Sequence, residues 1–118
     1  MEYNSKLPDL KHFTGTENWY PHPLNRHVTF TDGAFYVAEK GEAFWLLDTI
    51  ALSQLKPAFR GQPFQAWKLT VKGHTGVLTC DDGNGNVVHR EELEFTDFPE
   101  PGITLWLSGN VIMLPGEY

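Results

Sequence analysis

The sequence has one cysteine, no long apolar run and few basic residues, and each shortage excludes a class of protein. Because Cys80 is alone, no disulfide can form within the chain, which is typical of a reducing compartment. No stretch approaches the roughly 20 apolar residues that a membrane-spanning helix needs. The N-terminal stretch, MEYNSKLPDL, lacks the apolar core of a signal peptide. We therefore expect a soluble, cytoplasmic protein that does not span a membrane.

The charge balance is acidic. Nine Lys and Arg residues stand against 15 Asp and Glu residues, which gives a formal net charge of −6. Because such a surface repels phosphates, we expect no direct binding to nucleic acid or to an anionic membrane. The most acidic run has no basic residue inside it and contains Glu91, Glu92, Glu94, Asp97 and Glu100.

The motifs of common cofactor-binding and hydrolytic sites are missing as well. The sequence contains no Walker loop, no GxGxxG, no GxSxG, no HExxH and no paired CxxC. The chain is also short for an enzyme that binds a cofactor. We therefore expect no cofactor.

The patterns that are present predict one domain over residues 1–118, with two helices early in the chain. The longer helix is predicted over Glu42–Lys56, and Pro57 ends it. A shorter helix runs up to Lys40 and is capped by Thr31 or Asp32. The stripe that the longer helix buries consists of Ala43, Leu46, Leu47, Ile50, Ala51 and Leu55. Since Phe44, Trp45 and Leu52 widen this stripe, we expect the helix to be covered on more than one side.

Residues 1–31 are predicted to form an ordered but irregular arm, because three prolines interrupt any helix while aromatic residues anchor the segment. Within the arm, residues 27–31 alternate in polarity and favour a short edge strand.

After Pro63 the apolar residues recur with a period of two, which predicts strands. Leu93 and Phe95 are expected to face inward, and an Asn84-Gly85 turn is predicted between two of the strands. The fold class is therefore α+β: two early helices packed on an antiparallel meander of four to five strands, in two layers. The predicted strands lie at residues 67–72, 77–81, 87–96, 103–108 and 111–114.

Six segments in order resemble an uncharacterised family, a domain of unknown function found in small bacterial proteins and on phages and plasmids. The segments are FTGTENWY, FTDGAFYVAEKGEAFWLLDTIA, FQAWKLTV, LTCDDGNGN, EFTDFP and ITLWLSGNVIMLPGEY. The resemblance implies one compact domain of bacterial or mobile-element origin. It brings no activity, substrate or catalytic residue with it.

The segment from Cys80 to Glu91 partly matches a calcium-binding EF-hand loop. Asp82, Asn84 and Glu91 stand at three ligand positions, with Gly85 and Val87 at the structural ones. A thiol takes the place of the first carboxylate, and strands rather than helices flank the loop. The alternative is a hairpin turn whose glycines are needed for positive φ.

A Cys80–His89 pair is a candidate catalytic dyad. If Asn84-Gly85 forms the turn, these two residues lie opposite each other, and an imidazole can convert a thiol into the attacking thiolate. The alternative is a buried, inert cysteine beside a surface histidine.

Histidines near the N-terminus could bind a metal. His12, His22 and His27 lie near Asp9, Glu17 and Asp32 in sequence, and these residue types ligate zinc or iron. No known ligand spacing is present, so the alternative is a structural or surface role.

Aromatic residues are the remaining candidates for binding. Trp19, Tyr20 and Trp106 could form a patch with Trp45, and Trp106 faces away from the side that its neighbours bury. The alternative is that the N-terminal arm covers this sheet face.

The function expected from these patterns is a non-catalytic protein-binding domain, with the acidic residues Glu92, Glu94 and Asp97 joining the aromatic ones as binding residues. A protein partner is therefore expected, and an inhibitor or modulator of a host complex is one version. The alternatives are a small enzyme that uses Cys80 and His89 or a histidine-bound metal, and a homodimeric structural protein that buries its open sheet face.

Overall fold

The computed structural model describes residues 18–118. The predictions made for Asp9, His12 and Glu17, and for the first half of the arm, lie outside these residues. The helices are α1 (Asp32–Lys40) and α2 (Phe44–Ser53), and short 3-10 helices lie at Pro57–Phe59 and Pro115–Glu117. The strands are β1 (Trp19–Pro21), β2 (Thr29–Thr31), β3 (Phe64–Lys72), β4 (Thr75–Asp81), β5 (Val87–Leu93), β6 (Gly102–Ser108) and β7 (Val111–Met113).

The seven strands form one sheet in the order β1-β2-β7-β6-β3-β4-β5. The α+β class is confirmed, but the prediction of four to five antiparallel strands is wrong, because β1 and β2 belong to the sheet and β2 pairs with β7 in parallel. The strand predicted within residues 27–31 exists as β2, although it lies between two strands rather than at an edge. The sheet is not a simple meander either, because β6 pairs with β3 and not with β5.

The strand order follows from the polarity of the strands. β6 buries Leu105 and Leu107 and therefore lies centrally beside β3. β5 has charged residues on both of its faces and lies at the edge, where these charges keep their water. The chain returns from the edge strand β5 to the central strand β6, which begins at Gly102. A Cβ at this position would lie 1.8 Å from the carbonyl oxygen of Leu69. Only glycine fits this crossing.

Both predicted helices form, but the second is shorter than expected. α1 is capped by Thr31, whose hydroxyl accepts a hydrogen bond from the backbone N–H of Ala34 at 3.1 Å. α2 begins only at Phe44, because Glu42 has a φ of 54° and breaks the chain direction. It ends at Ser53, since the residue before Pro57 is extended. Within residues 18–118, neither helix is long and apolar enough to cross a membrane.

The core lies between the two helices and one face of the sheet. Helix residues such as Leu47 and Ile50 pack over Trp67 and Leu69 in this cluster. One polar contact joins the helix layer to the sheet: the side-chain amides of Gln54 and Gln65 form two reciprocal hydrogen bonds of 2.8 Å. The opposite sheet face carries exposed or half-exposed residues over most of its area, so residues 18–118 form two layers.

Candidate functional site

The β4–β5 register places Cys80 directly opposite His89, as the sequence predicts. The imidazole of His89 packs on Trp67, with ring centroids 5.7 Å apart, and its Nε2 lies 3.3 Å from a carboxylate oxygen of Glu91. Cys80 is completely buried, and this burial, with the charge of Asp81 next, raises the pKa of its thiol to about 12. The thiol therefore stays protonated at neutral pH, which is the environment of an inert cysteine.

The candidate calcium loop is a hairpin turn stabilised by Asp82. The Oδ1 atom of Asp82 accepts hydrogen bonds from the backbone N–H groups of Asn84 (2.8 Å) and Asn86 (3.2 Å), and Oδ2 accepts one from the Asn86 amide at 2.9 Å. These hydrogen bonds, the Asn86 amide first, lower the pKa of Asp82. Glu91 lies on β5 beside His89. The lone pairs that an ion would use are largely engaged within the loop.

Of the three candidate metal-ligating histidines, His12 lies outside the described residues and the other two are separate. The backbone N–H of Leu24 donates to His22 Nδ1 at 3.1 Å, so Nε2 carries the proton and donates to Asp48 at 2.8 Å. Both nitrogens of this buried ring are thus occupied, whereas His27 is exposed. Across residues 18–118, no three His, Cys, Asp or Glu side chains are grouped so that they could hold a metal ion.

The acidic candidates lie on the edge strand β5 and on the segment that follows it. Glu92, Glu94 and Asp97 are all exposed, and Glu92 pairs with Arg90 of the same strand at 2.9 Å. Residues 81–100 contain seven of the 15 acidic residues and one of the nine basic ones, so this segment alone carries a formal charge of −6. The rest of the chain is formally neutral.

An apolar depression adjoins this acidic edge and is lined by Trp45, Leu93, Phe95, Thr96 and Asp97. The expectation that Phe95 faces inward is wrong, because β5 ends at Leu93 and the chain turns so that the N–H of Thr96 donates to the carbonyl oxygen of His74. The Phe95 side chain is 65% exposed and stacks on the His74 ring at 5.6 Å.

The aromatic candidates do not form one patch. Trp19 and Tyr20 are neighbours on β1 and therefore point to opposite faces of the sheet, with Trp19 62% exposed. Tyr20 packs against Phe35 on the helix side, and its hydroxyl donates to Asp32 at 2.6 Å, which raises the pKa of Tyr20.

Trp106 is half-buried in a cluster on the sheet face opposite to the helices. Its ring centroid lies 5.2 Å from that of Phe64 and 5.4 Å from that of Tyr118. The Tyr118 ring therefore covers part of this face.

The whole of this architecture falls within one family match. The model of a family of unknown function (DUF6876) matches residues 4–118. The chain belongs to this family. No curated protein and no solved structure matches the chain.

In this DUF6876 protein, sequence reasoning missed Glu117, which joins the C-terminus to the start of α1. Its carboxylate accepts hydrogen bonds from the Thr31 hydroxyl (2.6 Å) and from the backbone N–H groups of Gly33 (3.0 Å) and Leu114 (2.8 Å). A carboxylate at the N-terminal end of a helix also meets the positive end of the helix dipole. The contact fixes β7 beside β2 and has a structural role.

Proposed function

We propose that the protein is a non-catalytic binding domain that holds a basic protein partner at the β5 edge of its sheet. The observation that carries this proposal is the concentration of charge: residues 81–100 hold the entire formal charge of −6, and among the described residues β5 is one of the two edge strands. Concentrated charge attracts a partner of opposite sign and speeds its association.

The edge itself offers a way to bind an extended segment. Among the described residues no strand lies beyond β5, so a partner strand can add to its free backbone groups. The acidic side chains oppose addition of a second copy, because like charges would then face each other. The Arg90–Glu92 pair is exposed and contributes little to stability, so a basic side chain of a partner can take the place of Arg90 beside Glu92.

The neighbouring depression supplies an apolar contact beside the charges. Trp45 and Leu93 are half-buried in its lining, and Phe95 is the exposed aromatic ring beside them. Interfaces commonly combine a buried aromatic anchor with a charged rim, which is the arrangement that these residues present. The preferred partner segment therefore carries Lys or Arg residues and one large apolar side chain.

A modulator of a host complex is the version of this function that we favour. The sequence resembles proteins of phages and plasmids, which often act on host machinery, and an acidic edge fits a basic channel that normally holds nucleic acid. The enzyme alternative has weaker support, since the pKa of Cys80 is raised to about 12.

The test is a pull-down of the tagged protein from a bacterial lysate, followed by affinity measurement with the partner that it identifies. We expect Glu92→Gln/Glu94→Gln to weaken binding by tenfold or more, on the order of 1.4 kcal/mol or above. The matched control Glu39→Gln removes one exposed charge on α1, outside residues 81–100, and is compared with Glu92→Gln alone. This control should leave affinity nearly unchanged. Equal losses in both variants, or no loss in either, would refute the proposal.

A further inference from the structure

The two faces of the edge strand β5 carry different side chains, and its register with β4 shows which residue lies on which face. Glu91 lies opposite Leu78, which is buried in the core between the helices and the sheet. Because side chains alternate along a strand, every second residue of β5 from this position lies on the helix side. These residues are His89, Glu91 and Leu93. The residues of the opposite face are Arg90 and Glu92, which pair with each other at 2.9 Å.

The regular pairing between β4 and β5 ends at a bulge. Cys80 pairs with His89, but the next residue of β4 pairs with Val87, which leaves Val88 as an extra residue on β5. A bulge of this kind bends the strand and interrupts its ladder of hydrogen bonds. The regular part of this free edge therefore consists of residues 89–93, and an added strand is read by these positions.

The apolar depression adjoins one end of this regular edge. Leu93, the last residue of β5, lines the depression together with Trp45 of α2 and Phe95. A side chain placed opposite Leu93 on an added strand would lie on the same face of the sheet, beside the depression. Residues 90–92 are all charged, so a large apolar side chain is favoured at the Leu93 end.

We propose, on the basis of the proposed function, that the β5 edge recognises four consecutive residues of an added strand by type: one large apolar, two basic and one acidic. The apolar residue lies opposite Leu93. The basic residues lie opposite Glu92 and Glu91, and the acidic residue lies opposite Arg90. Directly opposite side chains have Cβ atoms about 4.5–5.5 Å apart, so opposite charges attract and like charges repel. The acidic residue compensates Arg90, which loses its present partner when a basic side chain pairs with Glu92.

The order of these residues along the partner depends on the direction of the added strand. β5 already pairs with β4 in the antiparallel direction, and antiparallel pairs are slightly more stable per residue than parallel ones. An antiparallel partner reads apolar, basic, basic, acidic from its N-terminal to its C-terminal end, whereas a parallel partner reads the reverse. We expect the antiparallel order. The two basic residues are neighbours and point to opposite faces, so they do not repel each other strongly.

Two synthetic peptides of equal composition test this order. One contains Phe-Lys-Lys-Glu and the other Glu-Lys-Lys-Phe between identical Ser and Thr flanks, and each carries a fluorescent label for anisotropy titration with the intact protein. We expect the first peptide to bind about fivefold or more tightly than the second, because only its order matches every position of the edge in the antiparallel direction. Equal affinities, tighter binding of the second peptide, or no binding of either one overturns the proposed order.

Paired charge swaps test the register. Glu92→Lys should weaken binding of the first peptide several-fold, and a peptide whose first Lys is replaced by Glu should restore it. Glu91→Lys should be rescued only by the same replacement at the second Lys. The control Glu39→Lys changes an exposed residue of α1 and should leave all of these affinities nearly unchanged. Rescue by the wrong peptide, or by neither, excludes this register.

The lysate partner separates a failure of the order from a failure of the proposed function. If the two peptides bind equally while Glu92→Gln/Glu94→Gln still weakens the captured partner, the acidic edge binds that partner in another way and only the order is wrong. If the double substitution has no effect on the captured partner either, the proposed function fails as well.

Discussion

Replacing Glu117 tests whether this residue holds β7 beside β2 and the start of α1. Its buried carboxylate accepts three hydrogen bonds, and two of the donors lie 84 and 86 residues away in sequence. Removing it leaves the Thr31 hydroxyl and the N–H groups of Gly33 and Leu114 without their acceptor. These groups lie at the only parallel strand pair among the described residues, β2–β7, and at the start of α1.

The expected magnitude follows from these three bonds. A hydrogen bond to a charged group contributes about 1.5–3 kcal/mol, and part of the loss is recovered when water reaches the freed donors. We therefore expect Glu117→Ala to lower the free energy of unfolding by about 3–5 kcal/mol. Glu117→Gln keeps the shape but places an amide NH₂ against a backbone donor, so it should cost about 1–3 kcal/mol.

Urea denaturation monitored by fluorescence of the four tryptophans measures this loss. Glu39→Ala, an exposed acidic residue on α1, is the control and should change stability by less than about 0.5 kcal/mol. Thr31→Ala combined with Glu117→Ala should cost less than the sum of the single changes, because the two residues share a bond. A Glu117→Ala protein as stable as the wild type would refute the structural role of this contact.

Three further predictions concern β4, β6 and the turn between β4 and β5. Cys80 should react with iodoacetamide only on unfolding. Since the pKa of its thiol is raised to about 12, the buried thiol contributes stability that is complete below about pH 9 and is lost as the pH rises towards 12. Cys80→Ala should remove this loss in melting curves recorded at alkaline pH. Gly102→Ala should lower the urea midpoint strongly, because its Cβ would meet the Leu69 carbonyl oxygen at 1.8 Å. The pKa of Asp82 is lowered, so the hairpin contact with Asn86 should persist above the ordinary carboxyl pKa and weaken as the pH falls through the lower value, as amide chemical shifts of the loop would report.

Local patterns predicted the elements whose structure depends on neighbours in sequence. The alternation in β3 placed Trp67 and Leu69 in the core, and the turn residues at 82–86 brought Cys80 opposite His89. Thr31 was one of two predicted caps of α1 and proved to be the one used. In each case the determining residues lie within a few positions of the element that they shape.

Long-range pairing was beyond the reach of these patterns. β1 has three residues and too little periodicity to indicate a strand. The alternation of residues 27–31 predicted β2, but it could not show that β2 lies inside the sheet and pairs in parallel with β7. The stability of both strands depends on β7 and on Glu117, near the other end of the chain. The pairing of β6 with β3 is of the same kind, because it depends on which strands can be buried in the centre.

The candidate sites show the same division. The charge of residues 81–100 can be counted from the sequence, but its position at a free edge follows from the strand order. The apolar excess of α2 was visible as Phe44 and Leu52, and the sequence predicted cover on more than one side. The described residues supply that cover on one side only.

Salt separates the two contacts that the proposed partner would make. Binding at the acidic edge depends on exposed charges, whose interaction is largely screened at about 1 M salt, where the Debye length is about 3 Å. Burial of an apolar side chain in the neighbouring depression is not screened, and excluded salts such as sulfate strengthen it. We therefore expect sodium chloride to release the basic partner. A complex that is unchanged at about 1 M sodium chloride would show that the apolar contact, rather than the charges of residues 81–100, holds the partner.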